Sequence, residues 1–152
     1  MSNSRIDLTS VEARLQAVLP NSIYCGTSYD KDFMEKFNKT FPAAWVIGQR
    51  MRPKDDGRGF SQVMRQHTEV EMIIRIVIRK LPTLDDNDAR LSSLHFAVTD
   101  ALIGWKPAQA SRPFVWSLAQ DGPPHEGVIT SDLIFKCEVV YKKVITVDED
   151  IP

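Results

Sequence analysis

Between residues 68 and 80, apolar and polar side chains alternate. Val70, Met72, Ile74, Ile76 and Ile78 fall on one side of an extended chain, and Glu69, Glu71, Arg75 and Arg79 on the other. A period of two predicts a strand with one face built for a core. From Thr83 to Gly104 the spacing changes to three and four, placing Leu84, Leu91, Leu94, Val98, Ala101 and Leu102 in one stripe. That spacing predicts a helix. A Thr83/Asp86 capping pair opens it, with Asp85, Asp86 and Asp88 near the positive end of its dipole, and Gly104 closes it before Trp105 and Pro107. Trp105, a large ring delivered where the chain must turn back, is expected to anchor the helix end against the sheet. Phe96 and Ile103 lie seven apart on a neighbouring helix face and widen the apolar arc beyond one stripe. The wider arc suits either a broader core seam or a subunit interface.

The flanking segments build the rest of one domain. Thr9 and Glu12 have the spacing of a capping box, and Val11, Leu15, Val18 and Leu19 continue as an amphipathic helix that Pro20 stops. Ile23, Tyr24 and Cys25 predict a short strand, and Asp30 caps a short helix carrying Phe33, Met34 and Phe37. Residues 41–49 read as a buried strand around the run Ala44, Trp45, Val46 and Ile47. Residues 50–61 turn polar, with Pro53, Gly57 and Gly59 as breakers and Arg50, Arg52, Lys54 and Arg58 as local positive charge. This is the expected tip of a long antiparallel hairpin, projecting from the body, whose return strand is 68–80.

After the helix, residues 114–118 predict a short strand with Val115 opposed to Phe114, Trp116 and Leu118, and 120–127 form a turn-rich break. In the closing strand 128–141, Ile129, Leu133, Phe135, Cys137, Val139 and Tyr141 share a face opposite Asp132, Lys136 and Glu138. The predicted fold class is α+β: a single domain over 1–144, a mostly antiparallel β-sheet with a long central helix and an N-terminal helix packed on one face. Residues 145–152 form an acidic tail outside it.

Composition narrows the functional classes. In 152 residues, 19 basic and 20 acidic side chains leave a net charge of -1, so there is no global field for holding nucleic acid or an anionic membrane. No apolar run approaches the ~20 residues of a membrane span. The polar first nine residues do not read as a secretory signal, and Cys25 and Cys137 are too few for a disulfide framework, so a reducing cytoplasm is expected. His67, His95 and His125 are scattered without metal-ligand spacing, no phosphate loop or nucleophile elbow is present, Cys25 has no histidine nearby in sequence, and Cys137 falls on an apolar strand face as a core residue. No catalytic residue, cofactor or metal ligand is expected. Two minority readings stand beside this one. The basic loop 50–58 could touch phosphate as a nucleic-acid-binding or adaptor module, and Glu69 with Glu71, on one strand face, could serve a metal-dependent nuclease if another carboxylate joined them.

The order of elements resembles the tail terminator proteins of tailed bacteriophages, especially the Mu-like minor tail group, over nearly the whole chain. The residues carrying the likeness are Asp100-Ala101-Leu102-Ile103-Gly104-Trp105-Lys106-Pro107 after the central helix, followed by the strand from Val128. The resemblance implies a non-enzymatic virion tail protein, assembled in the host cytoplasm. It would form a homo-hexameric ring on the end of the tail tube, stop tube polymerisation and present a surface for joining the head. Its partners would be its own copies, the tail tube protein and a head-completion or neck protein, with no membrane, and with DNA met only in the ring lumen. A ring joins unlike front and back patches. The expected interface draws on one sheet face, on the hairpin tip through Arg50, Arg52, Lys54, Arg58 and Phe60, and on Phe96 and Ile103.

Overall fold

The computed structural model describes residues 5–37, 39–54, 63–123, 125 and 127–144. The elements run α1 (Leu8–Val18), β1 (Tyr24–Thr27), α2 (Phe33–Lys36), β2 (Ala43–Pro53), β3 (Val63–Arg79), α3 (Leu84–Leu102), β4 (Val115–Asp121) and β5 (Val128–Val144). The strands form one sheet in the order β1-β2-β3-β5-β4. Only the β1–β2 pair is parallel, and β3 pairs with β5 along its full 17 residues. This is an α+β fold on a single, mostly antiparallel sheet, and the 19-residue α3 together with α1 lies on one face of it.

That face holds the main core. The alternation of β3 turns Val70, Met72, Ile74 and Ile76 inward, beside Leu133 and Phe135 of β5 and beneath Val11, Leu15, Val98 and Leu102 of the helices. Each is essentially solvent-free, and burying such a side chain contributes about 1.5–3 kcal/mol. A smaller cluster forms on the opposite face at the β1 side. There Trp45, Ala43, Val77 and Val128 are buried under Tyr24, Phe33, Phe37 and Phe41. The Phe33 ring stands edge-on to Trp45 at 5.0 Å, and Tyr24 lies at 5.1 Å. Gly26 is required at this point, because a Cβ there would sit 2.6 Å from the Trp45 ring.

Asp7, not Thr9, caps α1: its carboxylate accepts the Thr9 N–H at 3.0 Å and the Thr9 hydroxyl at 2.7 Å, while Glu12 instead accepts from Gln16. Val18 lies exposed at the end of that helix, off the buried stripe. In α2, Met34 points to solvent while Phe33 and Phe37 turn to Trp45. The first strand of the long hairpin continues past residue 49 to Pro53, so Arg50 and Arg52 belong to β2 and not to a loop. The expected tip, with Arg58 and Phe60, lies outside the described residues, as does the acidic segment 145–152.

In α3, Leu84 is 73% exposed and Asn87 takes the buried place in the first turn. The Asn87 amide donates to the Leu81 carbonyl at 3.0 Å and accepts the Leu81 N–H at 2.7 Å, tying the helix start to the end of β3. The Thr83 hydroxyl bonds the Asp86 carboxylate and not the helix backbone. At the other end Gly104 adopts φ +80, the left-handed conformation that releases the chain, and its N–H donates to Phe114 at 3.0 Å. Trp105 is half-buried against the main core, its ring 6.0 Å from that of Phe114.

Candidate functional site

Away from the Trp45 cluster, no described helix covers the face of the sheet opposite α1 and α3, and this face carries an ordered set of ion pairs. Register places Arg50 beside Glu71 and Glu71 beside Lys136, one residue from each of β2, β3 and β5. Arg50 Nε donates to Glu71 Oε2 at 2.9 Å and its Nη2 bonds the same oxygen. Arg52 and Lys136 each stand 3.9 Å from the other carboxylate oxygen, and Lys136 reaches Glu69 at 3.4 Å. Two steps along the strands toward the hairpin end, Glu138 accepts from Lys54 Nζ at 2.7 Å and meets His67 Nδ1 at 2.7 Å. In the other direction Arg75 grips Asp132 through two bonds, at 2.7 and 3.0 Å.

These contacts set the charge state of the face. The Arg50 hydrogen bond holds the Glu71 carboxyl below its ordinary range against the cost of its burial beneath the guanidinium. Lys54 and then His67 do the same for Glu138, and Asp132 raises Arg75. Burial pushes Cys25 up to about 11 and Cys137 up to about 12, which leaves both as protonated core thiols.

The expected basic patch is therefore largely neutralised where it is described. Arg50, Arg52 and Lys54 all face carboxylates, and the two glutamates offered to a metal are engaged by cations instead. Among the described residues no group of three or more histidine, cysteine or acidic side chains could hold an ion. A strand-period reading of Glu69 and Glu71 found their shared face. It could not find the cations, which arrive from β2 and β5.

A second surface runs along the sheet edge. β4 is an edge strand, and its register with β5 shifts between Trp116 and Leu118. The shift overturns the expected alternation: Trp116 sits opposite Phe135 on the helix-covered face, whereas Leu118 sits opposite Ile134 and Val115 opposite Lys136 on the uncovered one. Phe114 is fully buried, but Val115, Trp116 and Leu118 are all exposed. The Trp116 ring meets His95 of α3 edge-on at 5.2 Å, which joins this edge to the helix. Phe96 is 73% exposed and Ile103 47%, so the broader-seam reading of these residues is wrong and their apolar surface faces outward.

Apolar groups also surface beyond the helix layer. β3 and β5 run on past Thr68 and Val139, the last buried pair, and carry exposed Met64, Tyr141 and Val144. Tyr141 shares its strand face with core residues, as expected, but lies where α1 and α3 no longer cover it. Gly48, Ile73, Ile134 and Leu118 align across four strands on the uncovered face, an apolar row between the two charged ones. The molecule thus offers unlike surfaces on the two sides of its sheet and a hydrophobic edge strand whose outer side pairs with no described strand.

Comparison with known proteins adds a family. A family model described as "Phage tail terminator protein" matches residues 1–146. Among solved structures, a chain from "Virion of native gene transfer agent (GTA) particle" is similar with a TM-score of 0.58 at 12% sequence identity, over 90% of this chain and 96% of that one. At that identity the likeness establishes the fold. No curated protein sequence matches the chain.

Proposed function

Because the chain belongs to the phage tail terminator family, we propose that it completes the virion tail by closing as a homo-hexameric ring on the end of the tail tube, stopping further polymerisation and presenting a surface for head joining. The observation that carries this reading is the family match across 146 of 152 residues. The geometry supports it in kind. A ring of one protein requires two unlike patches on each copy, and here the β4 edge with Phe96 and Ile103 differs in chemistry from the ion-paired sheet face and the hairpin end. Large outward apolar residues on a small domain mark protein contact surface.

In this reading the tail tube protein meets one rim of the ring and a head-completion or neck protein meets the other. The hairpin end, with Arg50, Arg52, Lys54, Arg58 and Phe60, touches the neighbouring subunit or the tube. Phe96 and Ile103 lie in the contact between subunits. The protein works by binding, and its location is the virion tail. A single interface between two copies can be weak, so assembly on the tube, where neighbouring tube subunits raise the local concentration, is favoured over assembly in dilute solution.

The test is a tube-growth assay. Tail tube subunits polymerising in the presence of this protein are expected to give tubes of limited length, measured by electron microscopy. Tubes as long as those in its absence would contradict the termination reading.

A further inference from the structure

A groove of about 660 Å³ opens between the middle of α3 and the chain entering β2, on the helix side of the sheet and at the end farthest from the hairpin. Its apolar floor includes Ile23, Ile78 and Leu94, and its rim carries Lys39, Arg79 and Arg90, with no carboxylate among the lining residues. Among the described residues these three cations enter no ion pair; Arg79 stacks over the Phe41 ring at 5.8 Å. On the opposite sheet face cations are answered by Glu71, Glu138 and Asp132, whereas no carboxylate lines this groove.

The chain itself contains the complementary segment. Residues 145–152 place Asp148, Glu149 and Asp150 between Val147 and Ile151: three negative charges flanked by two apolar side chains. That segment leaves β5 at Val144, which pairs with Val63, whereas the groove lies by Arg79, which pairs with Val128. The 17-residue β3 separates the two points, roughly 50 Å along the strand at ~3.3 Å per residue. Eight extended residues span at most ~29 Å. The segment cannot reach the groove of its own copy.

The geometry points to exchange between copies: residues 145–152 of one subunit occupy the Lys39/Arg79/Arg90 groove of another, with Val147 and Ile151 on the apolar floor and the acidic triplet against the rim. This rests on the reading that copies assemble side by side, and names one contact they share. Such a contact is heterologous, joining one end of a subunit to the opposite end of the next.

The test uses the full chain with D148N, E149Q and D150N, whose own tail cannot compete, titrated with a synthetic peptide of residues 145–152 and followed by amide chemical shifts. Saturable shifts centred on Ser93, Leu94 and Ala97 are expected. They should weaken at least tenfold in a K39E/R90E background, and also as salt is raised from about 50 to about 500 mM, because exposed charges are then screened. Both reversed positions are solvent-facing, and the amide spectrum reports directly that the variant is folded. A peptide with lysines in place of its three acids should recover binding to K39E/R90E. Absence of shifts with about 2 mM peptide, or binding that ignores the charge reversal, overturns the proposal. The titration needs no ring, so its failure leaves the terminator reading intact, and uncapped tubes beside a bound peptide would fault only the latter.

Discussion

Trp45 shows how a residue's role can be legible while its surroundings are not. The apolar run around it indicates a strand buried on both faces, and it is fully buried. What covers the strand's second face is an aromatic set of Tyr24, Phe33, Phe37 and Phe41, brought together by tertiary packing and not by spacing. Trp45→Ala is expected to cost about 3–5 kcal/mol, read as a shift in denaturation midpoint. Trp105, half-buried on Phe114, should cost less, about 2 kcal/mol as alanine, because part of its ring already meets water. Gly104→Ala forces a Cβ into φ +80 with no clash to relieve it, so about 1–2 kcal/mol of backbone strain is the expected loss. Phe96 and Leu84 mark where spacing fails. Helical periodicity ranks both as apolar, but only the position of α3 over the sheet decides that both face solvent.

At the scale of elements, periodicity locates each helix and strand of the described residues, and its errors sit at ends and irregularities. The cap of α1 was misplaced because Asp7 and Thr9 are both good capping residues and the pattern alone does not choose between them. The register shift within β4 was invisible because nothing in Trp116-Ser117-Leu118 announces a bulge, yet it sends Leu118 to the uncovered face. Substituting Leu118→Lys should leave the thermal midpoint within about 2 °C, since little buried surface is lost at an exposed edge position, while abolishing capping of tubes. Retained capping would remove the β4 edge from the interface.

The ion-paired face makes a separate prediction. Glu71 and Glu138 have folded-state values below the ordinary 4.5, so the stability they contribute is present above about pH 4.5 and is lost as pH falls through their depressed values. The thermal midpoint should therefore hold down to about pH 5 and drop below it, and Glu138→Gln should make that drop shallower. An identical acid profile in the variant would show that Glu138 contributes nothing through its charge.

For the whole molecule, sequence periodicity and element order reached the α+β class, the sheet's antiparallel character and the family. They could not reach the assembly surfaces. These depend on which strand ends at an edge, which helix residues escape the sheet, and which cations find carboxylates one or two strands away. Arg50, Arg52 and Lys54 looked like a free basic tip because their partners, Glu71 and Glu138, are 21, 19 and 84 residues distant in sequence. A tail-completing subunit must seat on a tube end. Mixing the purified protein with matched, preformed tail tubes and imaging their ends by electron microscopy tests this most directly. The prediction is a single ring of this protein at one end of each tube, and no elongation when tube subunits are added. Bare ends on tubes that keep growing would contradict both the ring and its role.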